Sequence, residues 1–261
     1  MIRISEKQRI VIKLGTSTIA HGTGKLNIRR MTTLVRVLAD LQNSGKEIII
    51  VSSGAVGLGV GKLGLKKKPT DTPSKQAAAA VGQCELMYTY DKLFSEYNHT
   101  VAQILVTGDD IDHSDRKVNF INTMRRLLEL GALPIINEND SVSTNEIEIG
   151  DNDTLGAIVA TAVNADLLII LSDIDGLYTA DPKKDSNARL LHTVSEITPE
   201  IEGMIGGAGS KLGTGGMITK IHAAEIAMGA GIDMAILNGR NPSVLYDLFD
   251  GKDVGTIFTS K

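Results

Sequence analysis

The chain has 261 residues, a formal net charge of −4 and a sequence pI near 5.8. That length suffices for one large α/β core, and no Pro/Ser-rich linker divides it, so a single domain over residues 1–261 is expected. The charge provides no basic field for a nucleic-acid backbone, and the absence of any apolar run near ~18 residues leaves no membrane span.

From the N-terminus, a charged lead without a signal-peptide core precedes RIVIKLG, Arg9 to Gly15, a β-branched run of the kind buried on both faces of a parallel sheet. Ile28, Met31, Leu34, Val35, Leu38 and Leu41 recur at helical spacing, and Gly45 supplies a stop before the strand EIIIVSSG, Glu47 to Gly54. The basic run Lys66-Lys67-Lys68, followed by Pro69, reads as a solvated loop. A helix is expected from about Ser74 to Tyr97. It carries the single cysteine, Cys84, which fits a reducing cytoplasm and, beside Val81 and Leu86, is expected to be a buried structural thiol.

A strand at Val101 to Val106, a helix near Arg116 to Leu130 and a strand at Leu133 to Ile136 follow. SVSTNEIEIG alternates in character at Glu146 to Ile149, which suggests a small hairpin. A helix from about Thr154 to Val163 leads to DLLIILSD, Asp166 to Asp173, the strongest strand signal in the chain. The remainder reads as a helix at Lys220 to Ala230, a strand at Met234 to Leu237, a helix at Val244 to Phe249 and a closing strand at Thr256 to Phe258. Such alternation implies an α/β fold, a three-layer α/β/α sandwich around a mostly parallel central sheet.

In open parallel sheets, ligands bind outside the carboxyl ends of the strands, and the polar clusters fall there. They are Lys13 with Gly15-Thr16-Ser17, Ser52-Ser53-Gly54, Thr107-Gly108-Asp109, Asn137-Glu138-Asn139-Asp140 and Ser172-Asp173. Lys13 interrupts an apolar strand, where an unpaired lysine is costly, and a point charge at a strand end suits a phosphate oxygen. NENDSV and GDNDTLG crowd Asn137, Asn139, Asp140, Asp151, Asn152 and Asp153 together. Their amide donors and carboxylate acceptors suit an amino acid, and a divalent cation is the competing reading.

GTGGMITK, Gly213 to Lys220, has the residues of a phosphate cradle but not the spacing of a P-loop, because Thr219 precedes the lysine and Ile221 follows it. The nominal GxGxxG at Gly59, Gly61 and Gly64 starts several residues after its strand ends and is rejected as a dinucleotide fingerprint. The histidines His21, His99, His113, His192 and His222 are scattered, and no G-x-S-x-G elbow or triad pattern is present.

Taken in order, VIKLGTS, VSSGAVGLG, INENDSV, IGDNDTLGA, LLIILSDIDGLYTADP and GTGGMITK resemble the amino acid kinase family, and within it the branch that phosphorylates the side-chain carboxylate of glutamate. The likeness runs from Val11 to about Phe258, and the sequence reads as a short form that stops at Lys261, where many longer members carry a C-terminal PUA domain. The resemblance implies the amino acid kinase fold and transfer of phosphate from ATP, with Mg²⁺ but no protein side chain assigned as its ligand, to L-glutamate at the start of proline biosynthesis.

It implies that Lys13 and Lys220 contact the transferring phosphoryl group and that Asp153 orients them. Ser53, Gly54, Asn137, Asp140, Asp151 and Asn152 would hold glutamate. Lys13, Gly15, Ser172 and Asp173, with Thr214, Gly215, Gly216, Met217, Ile218, Thr219 and Lys220, would form the ATP site. It further implies inhibition by proline, handover of the acyl phosphate to glutamyl-5-phosphate reductase, a homo-oligomer and a cytoplasmic location. The alternatives are a family enzyme acting on another carboxylate or phosphate, and a non-catalytic amino-acid sensor on the same fold.

Overall fold

The computed structural model describes residues 4–142, 152–182, 184–206 and 216–260. The expected hairpin at 146–149 and the site candidates Asp151, Thr214 and Gly215 lie outside them. The strands are β1 (Arg9–Leu14), β2 (Glu47–Val51), β3 (Val101–Val106), β4 (Leu133–Glu138), β5 (Leu167–Ser172), β6 (Thr193–Val194), β7 (Asp233–Asn238) and β8 (Thr256–Phe258). The helices are α1 (Thr16–Ile19), α2 (Ile28–Asn43), α3 (Ala55–Lys62), α4 (Thr72–Ser95), α5 (Gly108–Asp112), α6 (Ser114–Glu129), α7 (Asn152–Ala162), α8 (Pro199–Gly206), α9 (Met217–Gly229) and α10 (Val244–Phe249).

The strands form one eight-stranded sheet in the order β3-β4-β2-β1-β5-β7-β8-β6. Among the described pairings only β7 with β8 is antiparallel. At the centre, Lys13 is in register with Val51 on one side and Ile170 on the other. Side chains alternate across a strand, so Ile10, Ile12 and Leu14 enter the core beneath α2 and α4. Val11 enters the opposite core, which α6, α7 and α9 cover, and Lys13 shares its face. A helix layer on each face makes the expected three-layer sandwich, with both cores built largely from strand Ile, Val and Leu, each contributing about 1.5–3 kcal/mol when fully buried.

Local signals set the helix ends. The Asn27 side chain accepts the Arg30 amide to start α2, and Gly45, at φ 96°, follows its last turn. Of the apolar residues expected along α2, Ile28 is 69% exposed because it sits at the first helical position, ahead of the packed turns. The Asp71 side chain accepts the Ser74 amide to start α4. The inward face of α4 is Ala78, Ala79, Gly82, Gln83, Leu86, Tyr90 and Phe94. Cys84 is exposed rather than buried, since at 100° per residue it lies two residues, or about 200°, away from both Gly82 and Leu86.

The glycines of the rejected fingerprint have a packing role. A Cβ on Gly59 would lie 1.8 Å from the Ala78 carbonyl oxygen, and one on Gly61 would lie 2.3 Å from that of Gly24. They let α3 lie directly on α4 and on the loop before α2. The basic run Lys66-Lys67-Lys68 is exposed, as expected of a solvated loop.

Candidate active site

Because β1, β2, β4 and β5 run parallel, their carboxyl ends share one edge of the sheet, with α7 and α9 above it. Asp153, in the first turn of α7, is fully buried. Its Oδ1 lies 2.6 Å from Lys13 Nζ at the end of β1, and its Oδ2 lies 3.0 Å from Lys220 Nζ in the first turn of α9. The Thr219 hydroxyl stands 2.9 Å from the same Oδ2 and 2.8 Å from the Gly216 carbonyl oxygen, and so ties the start of α9 to α7. The Lys13 stem runs under Gly156, where a Cβ would lie 3.3 Å from that of Lys13.

Burial is the largest influence on the Asp153 carboxyl and pushes its pKa up. The adjacent charges and hydrogen bonds of Lys13 and Lys220 outweigh it and hold the group below the ordinary carboxylate range. Two cations on one anion leave surplus positive charge at a buried point, which suits a phosphoryl group.

A second group lies alongside, at the ends of β2 and β4. Asn152 Nδ2 is 2.6 Å from the Ser52 carbonyl oxygen, 3.0 Å from Ser53 Oγ and 3.0 Å from Asn137 Oδ1. Asn137, almost wholly buried, donates from Nδ2 to Gln83 Oε1 on α4 at 2.9 Å. The hydroxyls of Ser52 and Tyr90 are 3.1 Å apart beneath this cluster, and Tyr90 is fully buried. Burial raises the Asp140 carboxyl above its ordinary value, with the Lys68 charge opposing that rise. Gly54, in the left-handed region at φ 88°, turns the chain from β2 into α3.

The structure therefore brings together Lys13, Asp153, Thr219 and Lys220 as one group, and Ser53, Asn137 and Asn152 as its neighbour. Gly15 donates its amide to the Leu171 carbonyl, and Met217 and Ile218 open α9 after Gly216. Ser172 and Asp173 line a cavity of about 460 Å³ with Thr16, Ser17, Arg30 and Arg240. At the outer edge of the sheet, Thr107 closes a capping box with Asp110 at the start of α5.

Sequence reading missed Gln83, Tyr90 and Gly156. Gln83 left a trace, as a polar residue on the otherwise small and apolar inward face of a helix. No group of three or more His, Cys, Asp or Glu able to hold a metal occurs among the described residues, and Asp153 is already committed to two lysines. A divalent cation would fit here on nucleotide phosphates rather than in a protein cage.

A family model described as the amino acid kinase family matches residues 8–238. The chain belongs to the amino acid kinase family. It is 53% identical over 262 residues to a glutamate 5-kinase of Clostridium perfringens (strain 13 / Type A), covering 99% of this chain and 97% of that protein. A glutamate 5-kinase of Listeria innocua is 50% identical over 262 residues, covering 99% and 95%. Among solved structures, a carbamate kinase from Giardia lamblia bound to AMP-PNP superposes with a TM-score of 0.68 at 16% identity, covering 99% of this chain and 100% of that one, a likeness of fold alone. For this amino acid kinase, no helix among the described residues is long and apolar enough to cross a membrane.

Proposed function

We propose that this amino acid kinase transfers the γ-phosphoryl group of ATP to the side-chain carboxylate of L-glutamate, giving L-glutamyl 5-phosphate and ADP, the first step toward proline. The observation that carries this reading is the pair Lys13 and Lys220 meeting on Asp153, beside the Asn137 and Asn152 amides. A carboxylate oxygen attacks the γ-phosphorus as the bond to the β–γ bridging oxygen breaks, and ADP departs with that electron pair. The acceptor, with a pKa near 4.3, is already ionised at neutral pH, so no general base is required.

What the reaction does require is offset of the repulsion between two anions, together with their alignment. Lys13 and Lys220 supply the positive charge, and Asp153 holds both ammonium groups at the point of transfer. Thr214 to Lys220 with Gly15, Ser172 and Asp173 would hold the nucleotide, and Mg²⁺ would enter bound to its phosphates. Ser53, Gly54, Asn137, Asp140, Asp151 and Asn152 would hold the amino acid. Proline shares the α-carboxylate and cationic nitrogen of glutamate, so the same end of the pocket would accept it as an inhibitor. The acyl phosphate is open to hydrolysis, and handover to a glutamyl-5-phosphate reductase by a homo-oligomeric cytoplasmic kinase completes the proposal.

The test is ADP release with Mg²⁺-ATP and a panel of carboxylates, with the acyl phosphate trapped by hydroxylamine as a hydroxamate. Glutamate-dependent ADP release with matching hydroxamate supports the assignment. Equal turnover with another acceptor, or none with L-glutamate, rejects it.

A further inference from the structure

Two backbone groups identify the nitrogen and the oxygen in a row of carboxamides beneath the amino-acid end of the site. The Ser52 carbonyl oxygen can only accept, so the Asn152 atom 2.6 Å from it must be the nitrogen. The Glu138 amide can only donate, so the Asn137 atom 3.0 Å from it must be the oxygen. That oxygen also accepts from Asn152 Nδ2 at 3.0 Å, and Asn137 Nδ2 is thereby turned back into the fold, where it meets Gln83 Oε1 at 2.9 Å.

Gln83 accepts a cost in making this contact. It is 7% exposed, and its Nε2 is a buried donor with no hydrogen-bond partner among the described residues. The orphan follows from the row itself, because Oε1 must face Asn137. A purely space-filling role on this face of α4, beside Ala79, Gly82 and Leu86, would be met by an apolar side chain of similar volume without leaving a donor unpaired. The other end of the row shows the consequence. The two hydrogens of the Asn152 nitrogen are shared among Ser52, Ser53 and Asn137, whereas no hydrogen bond among the described residues uses its Oδ1. An acceptor with no partner among the described residues would select a ligand that carries a donor, and an ammonium group is the donor it would hold most strongly.

We propose that Gln83 is a positioning residue for acceptor selectivity. Together with the Ser52 carbonyl and the Glu138 amide, it anchors the row so that the Asn152 carboxamide keeps its oxygen toward the ammonium of an amino acid, and so favours amino acids over plain dicarboxylates. The inference rests on the reading above that Asn137 and Asn152 hold the acceptor. Without Gln83, Asn137 Nδ2 would be buried with no acceptor, and rotation of that amide to find one would set nitrogen against the Asn152 nitrogen.

The test compares kcat/KM for L-glutamate with that for glutarate, which keeps both carboxylates and lacks the ammonium. Where glutarate turns over too slowly, its inhibition constant against L-glutamate replaces the second value. Gln83→Met, close in volume but without an acceptor, should lose about ten-fold of the preference for L-glutamate, the scale of one hydrogen bond to a charged group. Handling of glutarate and KM for ATP should stay within about two-fold of the parent, a change of well under 1 kcal/mol. Gln83→Glu, which keeps an oxygen facing Asn137, should retain the preference.

An unchanged preference in Gln83→Met, or a parallel loss with both acceptors, overturns the proposal. If Gln83→Met does not fold, Gln83→Glu decides, because loss of preference there overturns it equally. Asn152→Ala separates the two levels. Retained preference in that variant removes the reading of Asn152 as the ammonium contact, whereas its loss alongside an indifferent Gln83→Met removes only the role of Gln83.

Discussion

Lys13 and Lys220, one at the end of the central strand and the other in the first turn of a late helix, reach opposite oxygens of a single buried carboxylate. The side chains of the two lysines are only 10% and 4% exposed, so their charges act in a poorly screened environment. Replacing Lys220 with alanine should lower kcat by about 10²–10³-fold, as loss of a single preorganised charge contact does elsewhere, with a smaller change in KM for L-glutamate. Steady-state kinetics on the folded variant checks this, and near-parental turnover would remove Lys220 from the chemistry.

Asp153→Asn should destabilise the fold by about 3 kcal/mol at pH 7, because it leaves two buried ammonium groups facing a neutral amide. The parent carboxyl is depressed in the folded state, so its stabilising contribution is present above the unfolded value near 3.9 and lost only as pH falls through the lower folded value. The stability gap between parent and variant should therefore stay flat from pH 8 to pH 5 and close only in stronger acid. Mg²⁺-ATP should raise the melting temperature more in the variant than in the parent, since phosphate oxygens would then face the lysines. Thermal melts across pH, with and without nucleotide, measure both.

Asp140 is perturbed in the other direction. Burial lifts its pKa, so ionisation becomes more costly to the folded protein as pH rises from the unfolded value through the folded one. A ligand ammonium would offset that cost, which couples amino-acid binding to loss of the proton. KM for L-glutamate should rise as pH is lowered from 7 toward the carboxylate range while KM for ATP stays flat. Asp140→Asn should show a high KM without that slope. A parent KM that is level with pH would exclude Asp140 from the ammonium contact.

Much of this arrangement was legible in the sequence for a simple reason. A lysine inside IVIKLG has to find a counter-charge, and strand alternation puts it on the same face as Val11, where α7 and α9 pack. Glycine runs were less readable. Gly59 and Gly61 look like a ligand loop but serve helix packing, while Gly156, inside an ordinary helical stretch, borders Lys13. Nothing local distinguishes the two cases, because the neighbour that requires the glycine comes from elsewhere in the chain. The immediate neighbours of Cys84 suggest burial, but the helical phase set by Gly82, Leu86 and Tyr90 places it outward. The Gln83 contact with Asn137 depends on how α4 is seated against β4, which no local pattern encodes.

Gly82→Ala tests the packing of α4 on α3. The added Cβ would lie 1.7 Å from the Ala55 carbonyl oxygen and 2.6 Å from the Gly59 amide nitrogen, both backbone atoms, so α3 and α4 would have to part. A loss of about 3 kcal/mol is expected in chemical denaturation, at the upper end for an overpacked core. Parental stability would mean that the helix pair can separate freely.

Gly156→Ala should instead affect catalysis with little effect on the fold. Its Cβ would come within 3.3 Å of Lys13 Cβ and 3.5 Å of Leu168 Cδ1, close enough to require a shift of a few tenths of an ångström but not a disruption. Lys13 Cβ is fixed to a strand paired on both sides, so the compliant partner is α7. Movement of α7 carries Asp153 and Asn152 with it, and these residues set the positions of both lysines and of the carboxamide row. Alanine also favours the helix by up to about 1 kcal/mol over glycine, which offsets part of the contact cost. The expected result is a melting temperature near that of the parent with kcat reduced about ten-fold, consistent with the sensitivity of positioned charges to small displacements. Parental kcat would show that Lys13 and Asp153 re-form their contact after the shift, and a collapse of stability would show that α7 cannot yield at all.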